Sequence, residues 1–323
     1  MNKNSKIYVA GHRGLVGSAI VRALQQRGFT NLLLRTHAEL DLTEQAAVRT
    51  FMAEEKPEYI FLAAAKVGGI QANNTCPAEF IHSNLAVQTD VIHESWRVGV
   101  KRLLFLGSSC IYPRNCPQPI RESYLLTGPL EATNRPYALA KIAGIEMCWS
   151  YNRQYGTNFI AAMPTNLYGP GDNYDLASSH VLPALIRKMH EAKIRGDKAV
   201  TLWGTGSPRR EFLSSDDMAD ASVHLMLLPE AQFAELLQED EPPLVNIGCG
   251  VDLTIREVAE VVAQTVGFTG QLNFDASKPD GTPRKLLDVS RMTRLGWKAR
   301  TPLSEGLAVA YAAFLEDKSA RTL

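Results

Sequence analysis

Neither sign of charge dominates this 323-residue chain: Lys and Arg total 34, and Asp and Glu total 34. A balanced surface has no global field to attract nucleic acid or an anionic membrane, so any anion site must be local. Long apolar runs are also missing. The longest, Leu307 to Leu315, has nine residues, whereas a membrane span needs about 20. Neither a nucleic-acid nor a membrane partner is expected. Cysteine is scarce. Cys76, Cys110, Cys116, Cys148 and Cys249 form an odd set with no C-x-x-C pair, which suits a reducing compartment better than a disulfide framework. Met1 to Ser5 lead directly into Lys6-Ile-Tyr-Val-Ala10 without a signal-type apolar stretch, so a cytoplasmic protein is expected. Internal repeats, low-complexity tracts and long charge runs are absent as well.

What is present is ordinary for a globular chain: 45% hydrophobic and 21% charged residues. This length can remove about 75% of the unfolded surface from water and fits two cooperating domains or one large α/β domain. Short apolar runs at Ile7–Ala10, Leu32–Leu34, Tyr59–Ala63, Leu103–Leu106 and Phe159–Met163 alternate with longer helical patterns. Runs without polar alternation predict strands covered on both faces, hence an α/β fold with a doubly wound parallel sheet. Pro and Gly become dense at Met163-Pro-Thr-Asn-Leu-Tyr-Gly-Pro-Gly171, where a second, smaller α/β region is expected to start. The predicted division is 1–168 and 169–323, with about 212–250 packing back on the first part. Later elements are a helix near Val181–Ala192, a strand at Val200–Trp203, a helix near Asp216–Leu228 and a strand at Leu244–Ile247. Thr254-Ile-Arg-Glu257 reads as a capping box whose helix Gly267 ends, and Thr301-Pro302 opens the last helix.

Gly11-His12-Arg13-Gly14-Leu15-Val16-Gly17 follows the first strand and opens a helix. Glycines there allow a tight turn and close approach of a pyrophosphate, which the helix N-terminus then meets. A dinucleotide fold should offer an acid to the ribose about 20 residues later. Here the second strand ends Leu34-Arg35-Thr36-His37. Arg35, with Arg13 in the loop, suits the extra phosphate of NADP; the alternative is that Arg35 and His37 are solvated loop residues. Asp41 either meets the adenine edge or caps a helix from Thr43. Tyr137-Ala-Leu-Ala-Lys141 puts a phenol and an ammonium on one helix face. A Lys cation helped by an oxidised nicotinamide would lower the phenol from its usual value of about 10.

Together with Gly107-Ser108-Ser109 after the fourth strand, these motifs resemble the extended short-chain dehydrogenase/reductases that act on nucleotide sugars. Four further segments, Ala63-Ala-Ala-Lys-Val-Gly-Gly-Ile70, Gly107-Ser-Ser-Cys-Ile-Tyr-Pro113, Pro164-Thr-Asn-Leu-Tyr-Gly-Pro170 and Lys278-Pro-Asp-Gly-Thr-Pro-Arg-Lys285, look like those of the GDP-L-fucose synthase family. His37 departs from the basic Arg common there. The resemblance implies a Rossmann domain with a smaller substrate domain, NADPH/NADP as cofactor, a GDP-sugar substrate and a homodimer formed through helices near Val87–Val98 and Ala138–Tyr155. It implies 3,5-epimerisation of GDP-4-keto-6-deoxy-D-mannose followed by reduction at carbon 4. Alternatives are a GDP-colitose synthase, a redox-neutral epimerase or a non-catalytic dinucleotide sensor.

The implied roles are Tyr137 as proton donor, Lys141 as its tuner, Ser108 as a second donor to the same oxygen, Cys110 as base and His180 as acid. The cofactor is expected against the glycine loop residues, Arg35, His37, Ala38, Glu39, Leu40, Asp41, Leu42, Leu106, Gly107, Ser108, Ser109, Lys141, Pro164, Thr165, Asn166, Leu167 and His180. Substrate contacts are expected from Lys188, Trp203, Arg210, Asp280 and Lys285: cations for the phosphates, Trp203 beside sugar or base, and Asp280 on a ribose or guanine edge. No metal is expected.

Overall fold

The computed structural model describes residues 1–176, 178–278 and 280–317. Its strands are β1 (Ile7–Ala10), β2 (Leu32–Leu33), β3 (Tyr59–Leu62), β4 (Arg102–Leu106), β5 (Phe159–Pro164), β6 (Asn166–Tyr168), β7 (Ala199–Trp203), β8 (Arg209–Ser214), β9 (Leu244–Ile247), β10 (Asp252–Thr254), β11 (Gln271–Asp275) and β12 (Arg284–Lys285). The helices are α1 (Leu15–Gln26), α2 (Gln45–Glu55), α3 (Ile70–Thr75), α4 (Pro77–Arg97), α5 (Arg135–Tyr155), α6 (Val181–Arg195), α7 (Ser215–Leu227), α8 (Glu230–Ala234), α9 (Ile255–Val266), α10 (Ser290–Arg294) and α11 (Leu303–Glu316).

Six parallel strands form one sheet in the order β2-β1-β3-β4-β5-β9. β1, β4, β5 and β9 are buried at every residue, as their unbroken apolar runs require when helices cover both faces. One face packs on α1 and α7 through Ile20, Leu24, Met218 and Leu225; the other packs against α2, α4 and α5 through Met52, Val91, Ile92 and Ile145. The order reverses between β1 and β3, where the crevice at the carboxyl ends of strands is the usual ligand position.

After Tyr168 the chain builds a second sheet in which β8 is central. β6 and β12 run parallel to β8 and β10 antiparallel, while β7 and β11 pair separately. A third apolar cluster, with Leu185, Met189, Phe212, Val262 and Phe314, holds α6, α9 and α11 to these strands. The chain then returns, because α7 lies on α1 and β9 completes the first sheet beside β5.

Local signals are realised closely. Thr254 and Glu257 cap α9 reciprocally, and Gly267 ends it in the left-handed region. Two boundaries differ from expectation. Pro302 is the N-cap of α11 and not a first-turn residue, and α2 begins at Gln45, two residues after Thr43. Asn166–Tyr168, within the Pro- and Gly-dense stretch, is a strand paired with β8.

Candidate active site

The loop after β1 is shaped so that only glycine fits at two positions. Gly11 has φ of +80°, and a Cβ there would lie 2.7 Å from the Ala64 nitrogen beyond β3. A Cβ on Gly17 would lie 2.1 Å from the Gly11 carbonyl oxygen. Gly14 is the N-cap of α1 and contributes no side-chain cap, and its own N–H donates to Gly11 O at 2.9 Å. The remaining N–H groups of the first turn are therefore open to an outside acceptor. His12 Nδ1 is buried without a hydrogen-bond partner. A backbone cradle, a helix N-terminus and an orphaned polar atom at the sheet's reversal point fit a dinucleotide pyrophosphate.

Around the far end of that cradle several of the expected contact residues have partners within the protein. Arg35 donates to Glu55 at 2.7 Å and to the Leu34 carbonyl at 3.0 Å, and lies over Phe51. It would have to share its remaining donors with a phosphate, which leaves Arg13, exposed in the loop, as the more available cation. His37 and Ala38 are exposed, and His37 lies 3.7 Å from Asp41. Glu39 accepts from Thr36 N and Oγ1, and these bonds hold its carboxyl below the usual range. Asp41 does not cap α2, whose N-cap is Glu44; it accepts from Thr43 N at 2.9 Å and Thr43 Oγ1 at 2.8 Å, closing the turn before the helix. Leu40 and Leu42 are core side chains.

The chemistry-bearing residues converge at the carboxyl end of β4. Gly107 lets the chain leave the strand beneath Met163, whose methyl would collide with any Cβ there. Ser108 then caps a short 3-10 turn and accepts from Cys110 N at 3.4 Å. α5 approaches the sheet closely because Gly144 meets the Phe105 ring, where a Cβ would stand 2.5 Å away. Lys141 is 2% exposed, donates to Leu106 O at 2.7 Å and stands over the rings of Phe105 and Tyr137. Tyr137, one turn earlier, packs edge-on against Phe80 and is within hydrogen-bonding reach of the Ser108 side chain. Ser109 is buried.

The electrostatics differ from those expected. Burial, and then the Cys110 sulfur, push the Tyr137 phenol up, against the pull of Ser108. Lys141 does not offset this: its ammonium stands 5.8 Å from the Tyr137 ring centre, and burial lowers its own pKa to about 8. The phenol is therefore protonated near neutral pH, the state a proton donor needs. Burial also pushes the Cys110 thiol up, although Lys285, Ser108 and Lys141 pull it down. His180 is the N-cap of α6; surrounding protein, then Lys285, lower its imidazole. The residue as a whole is exposed in area, as a group lining an open cleft with protein on most sides would be. The resting pair is thus a thiol and a neutral imidazole, opposite to the protonation states first expected for a base and an acid.

The second sheet supplies the cations. Lys285 and Arg210 are register partners on β12 and β8, so they project side by side on one face. Lys285 is nearer the chemistry than a phosphate-binding role suggested, since its charge acts on both Cys110 and His180. Burial lowers the pKa of Arg210, and Asp280 opposes the shift. Asp280 itself accepts from Thr205 N at 3.0 Å and Thr205 Oγ1 at 2.7 Å, so it also holds the 204–207 turn. Trp203 is 66% exposed, with Lys188 and Lys278 both 5.7 Å from its ring centre. Thr165 and Asn166 donate from their side chains to the Glu211 carbonyl, which fixes the floor between the two sheets; Pro164 is buried beneath it and Leu167 packs into the core. Sequence reasoning missed Lys278, although it opens a quoted motif, and Phe80 and Glu211, for which no local pattern gave a cue. Among the described residues no cluster of potential metal ligands occurs.

The pattern of the NAD dependent epimerase/dehydratase family matches residues 7–248. The chain belongs to that family. Within it, the chain is 58% identical over 316 residues to GDP-L-fucose synthase 1 of Arabidopsis thaliana, covering 98% of this chain and 95% of that one. It is 54% identical over 315 residues to GDP-L-fucose synthase of Escherichia coli (strain K12), covering 97% of each. A GDP-mannoheptose C4 reductase from Campylobacter jejuni, solved with NADP bound, superposes with a TM-score of 0.89 at 44% identity, covering 98% of this chain and 99% of that one. The solved reductase therefore shares this chain's fold over essentially the whole length.

Proposed function

We propose that this chain uses NADPH to convert GDP-4-keto-6-deoxy-D-mannose to GDP-L-fucose, by epimerisation at carbons 3 and 5 and then reduction at carbon 4. The observation that carries the reading is the meeting of Ser108, Cys110, Tyr137 and Lys141 at the end of β4 with Lys285 across the cleft. The two GDP-L-fucose synthases support the substrate, and the NADP-bound reductase supports the cofactor. In this reading 1–168 holds the cofactor and 169–323 the substrate, with about 212–250 returning to the first part.

Bound at the glycine loop, the cofactor supplies a hydride to carbon 4. The protein does the rest. Ser108 and Tyr137 donate hydrogen bonds to the ketone oxygen, which becomes negative both when a neighbouring carbon loses a proton and when hydride arrives. One donor pair therefore lowers both barriers. In the reduction the carbonyl π pair moves onto oxygen, the Tyr137 O–H bond breaks, and its proton goes to that oxygen. The nearby Lys141 ammonium then faces a phenolate, which solvent reprotonates.

For epimerisation, Cys110 takes the proton from carbon 3 or 5 and His180 returns one to the opposite face. The working thiolate and imidazolium carry the same single proton as the resting thiol and imidazole. One internal transfer from Cys110 to His180 resets the pair between the two carbons. The one-proton state spans the interval between the lowered His180 and raised Cys110 values, so proton exchange should show a broad plateau around neutral pH. Lys188, Arg210 and Lys285 bind the anionic part of the substrate, and Trp203 packs beside sugar or base.

Supplying the GDP-keto sugar with NADPH or NADH and identifying the product by NMR tests the reading. GDP-L-fucose with one NADPH oxidised per product is expected. A new GDP-sugar without cofactor loss would indicate a redox-neutral epimerase. Turnover only of the analogue lacking the carbon 3 hydroxyl would indicate a colitose-type synthase, and cofactor binding without turnover a sensor. A cytoplasmic homodimer completes the reading. α5 exposes Leu139 and Tyr155, and Tyr155 stacks on Trp96 of α4 at 4.3 Å; solution mass at low concentration tests this face.

A further inference from the structure

Glu211 is fully buried on β8, next to Arg210 in sequence, and no cation stands within salt-bridge distance of it among the described residues. A buried carboxylate without a counter-charge is costly unless other donors satisfy it. Here the donors are mainly backbone N–H groups, with the Thr165 hydroxyl also in reach of the carboxylate. Oε1 accepts from Gly250 N at 2.6 Å, and Oε2 accepts from Leu287 N at 3.0 Å. The two donors come from different places: Gly250 follows β9 of the first sheet, and Leu287 lies two residues beyond Lys285. The Glu211 carbonyl meanwhile accepts from Thr165 Oγ1 and Asn166 Nδ2 at the end of β5. Gly248 is shaped around this carboxylate, since a Cβ there would lie 2.2 Å from Oε1.

The geometry points to Glu211 as a positioning residue that clips the end of β12 to the first sheet and so sets where Lys285 and Arg210 stand relative to Cys110 and Tyr137. Alternation along β8 puts Glu211 on the face opposite Arg210, so it acts through the backbone and does not touch substrate. Both of its oxygens must accept. An amide in its place would satisfy one N–H and turn its own donor towards the other, and an unmet buried donor is a destabilised one. The end of β12 would then shift and carry Lys285 with it. The Thr165 and Asn166 bonds to the backbone carbonyl survive the substitution, and an amide oxygen can still accept from the Thr165 hydroxyl that also reaches the side chain, so the cofactor side should change little.

This inference rests on the proposed roles of Arg210 and Lys285, and three variants separate the two. For Glu211→Gln, GDP binding measured by calorimetry should weaken about tenfold, as expected for charged hydrogen bonds moved off geometry. KM for the GDP-keto sugar should rise in step, with kcat within about threefold and the NADPH Kd within about twofold. The pH limbs of proton exchange should move towards alkaline values as the Lys285 charge withdraws. Gly248→Ala keeps the carboxylate but displaces it, so it should shift the same quantities in the same direction, and it carries the test if Glu211→Gln does not fold. Arg210→Met probes the subsite directly. If Arg210→Met weakens GDP binding but folded Glu211→Gln or Gly248→Ala leaves GDP binding and the pH limbs unchanged, the positioning role is overturned while the subsite stands. If Arg210→Met leaves GDP binding unchanged, the subsite reading itself fails. Parallel loss of NADPH and GDP binding, or failure of both Glu211→Gln and Gly248→Ala to fold, would mean that Glu211 is merely structural and would overturn the proposal.

Discussion

The two sheets present their functional residues to different solvents. At the end of β4, Lys141 is 2% exposed and the Tyr137 phenol is pushed up by burial. On the separate β7–β11 pair beyond the second sheet, Trp203 is 66% exposed, with two lysines near its ring. Reaction chemistry gains from the first setting, because donors aimed at a developing charge act most strongly where water is excluded. Recognition of a charged, hydrated ligand suits the second, where Lys188 and Lys278 stand beside an exposed ring and are open to salt screening. Lys285 lies between the two: it starts from the recognition sheet, and its charge reaches the acid/base pair.

If that contrast is right, damage at the dry end should reduce rate and damage at the wet end should weaken binding. Tyr137→Phe should lower kcat for reduction by about 10²- to 10⁴-fold, the usual worth of a positioned proton donor, while NADPH titration shows near-normal affinity. Turnover within a few-fold of the parent would break the contrast at its strongest point. Lys285→Met should act on both. Its cation lowers the Cys110 and His180 values, so removing it raises both, and both limbs of the pH profile for solvent deuterium entry at carbons 3 and 5 should move to higher pH. A profile that does not move would place Lys285 wholly on the binding side. Trp203→Ala should have the smallest effect: KM for the GDP-keto sugar up by about two- to tenfold, in line with one exposed aromatic contact, with kcat unchanged.

The same contrast governs what could be read before the structure. The first sheet was legible because each strand is a short, wholly apolar run between helical segments, and Gly11, Gly14 and Gly17 stand where a strand passes into a helix. The α9 capping box was legible because its two members are three residues apart. The second sheet was only partly so. Arg209-Arg210-Glu211 has no strand-like pattern, yet β8 is central, pairing with β6, β10 and β12, and its buried Glu211 is met by backbone donors distant in sequence. Arg35 shows the converse failure. Its type and place suited a phosphate, but its partner Glu55 lies 20 positions away at the end of α2. The protonation states of Tyr137, Cys110 and His180 were unreadable, since burial by distant segments decides each of them.

The central claim is that one polarised oxygen serves both deprotonation and hydride transfer. Ser108→Ala tests it most directly, by following solvent deuterium entry at carbons 3 and 5 and NADPH oxidation in the same preparation with the GDP-keto sugar. The account predicts that both rates fall together, by about 10²- to 10³-fold as for loss of an oxyanion donor. A variant that loses one rate and keeps the other would contradict it.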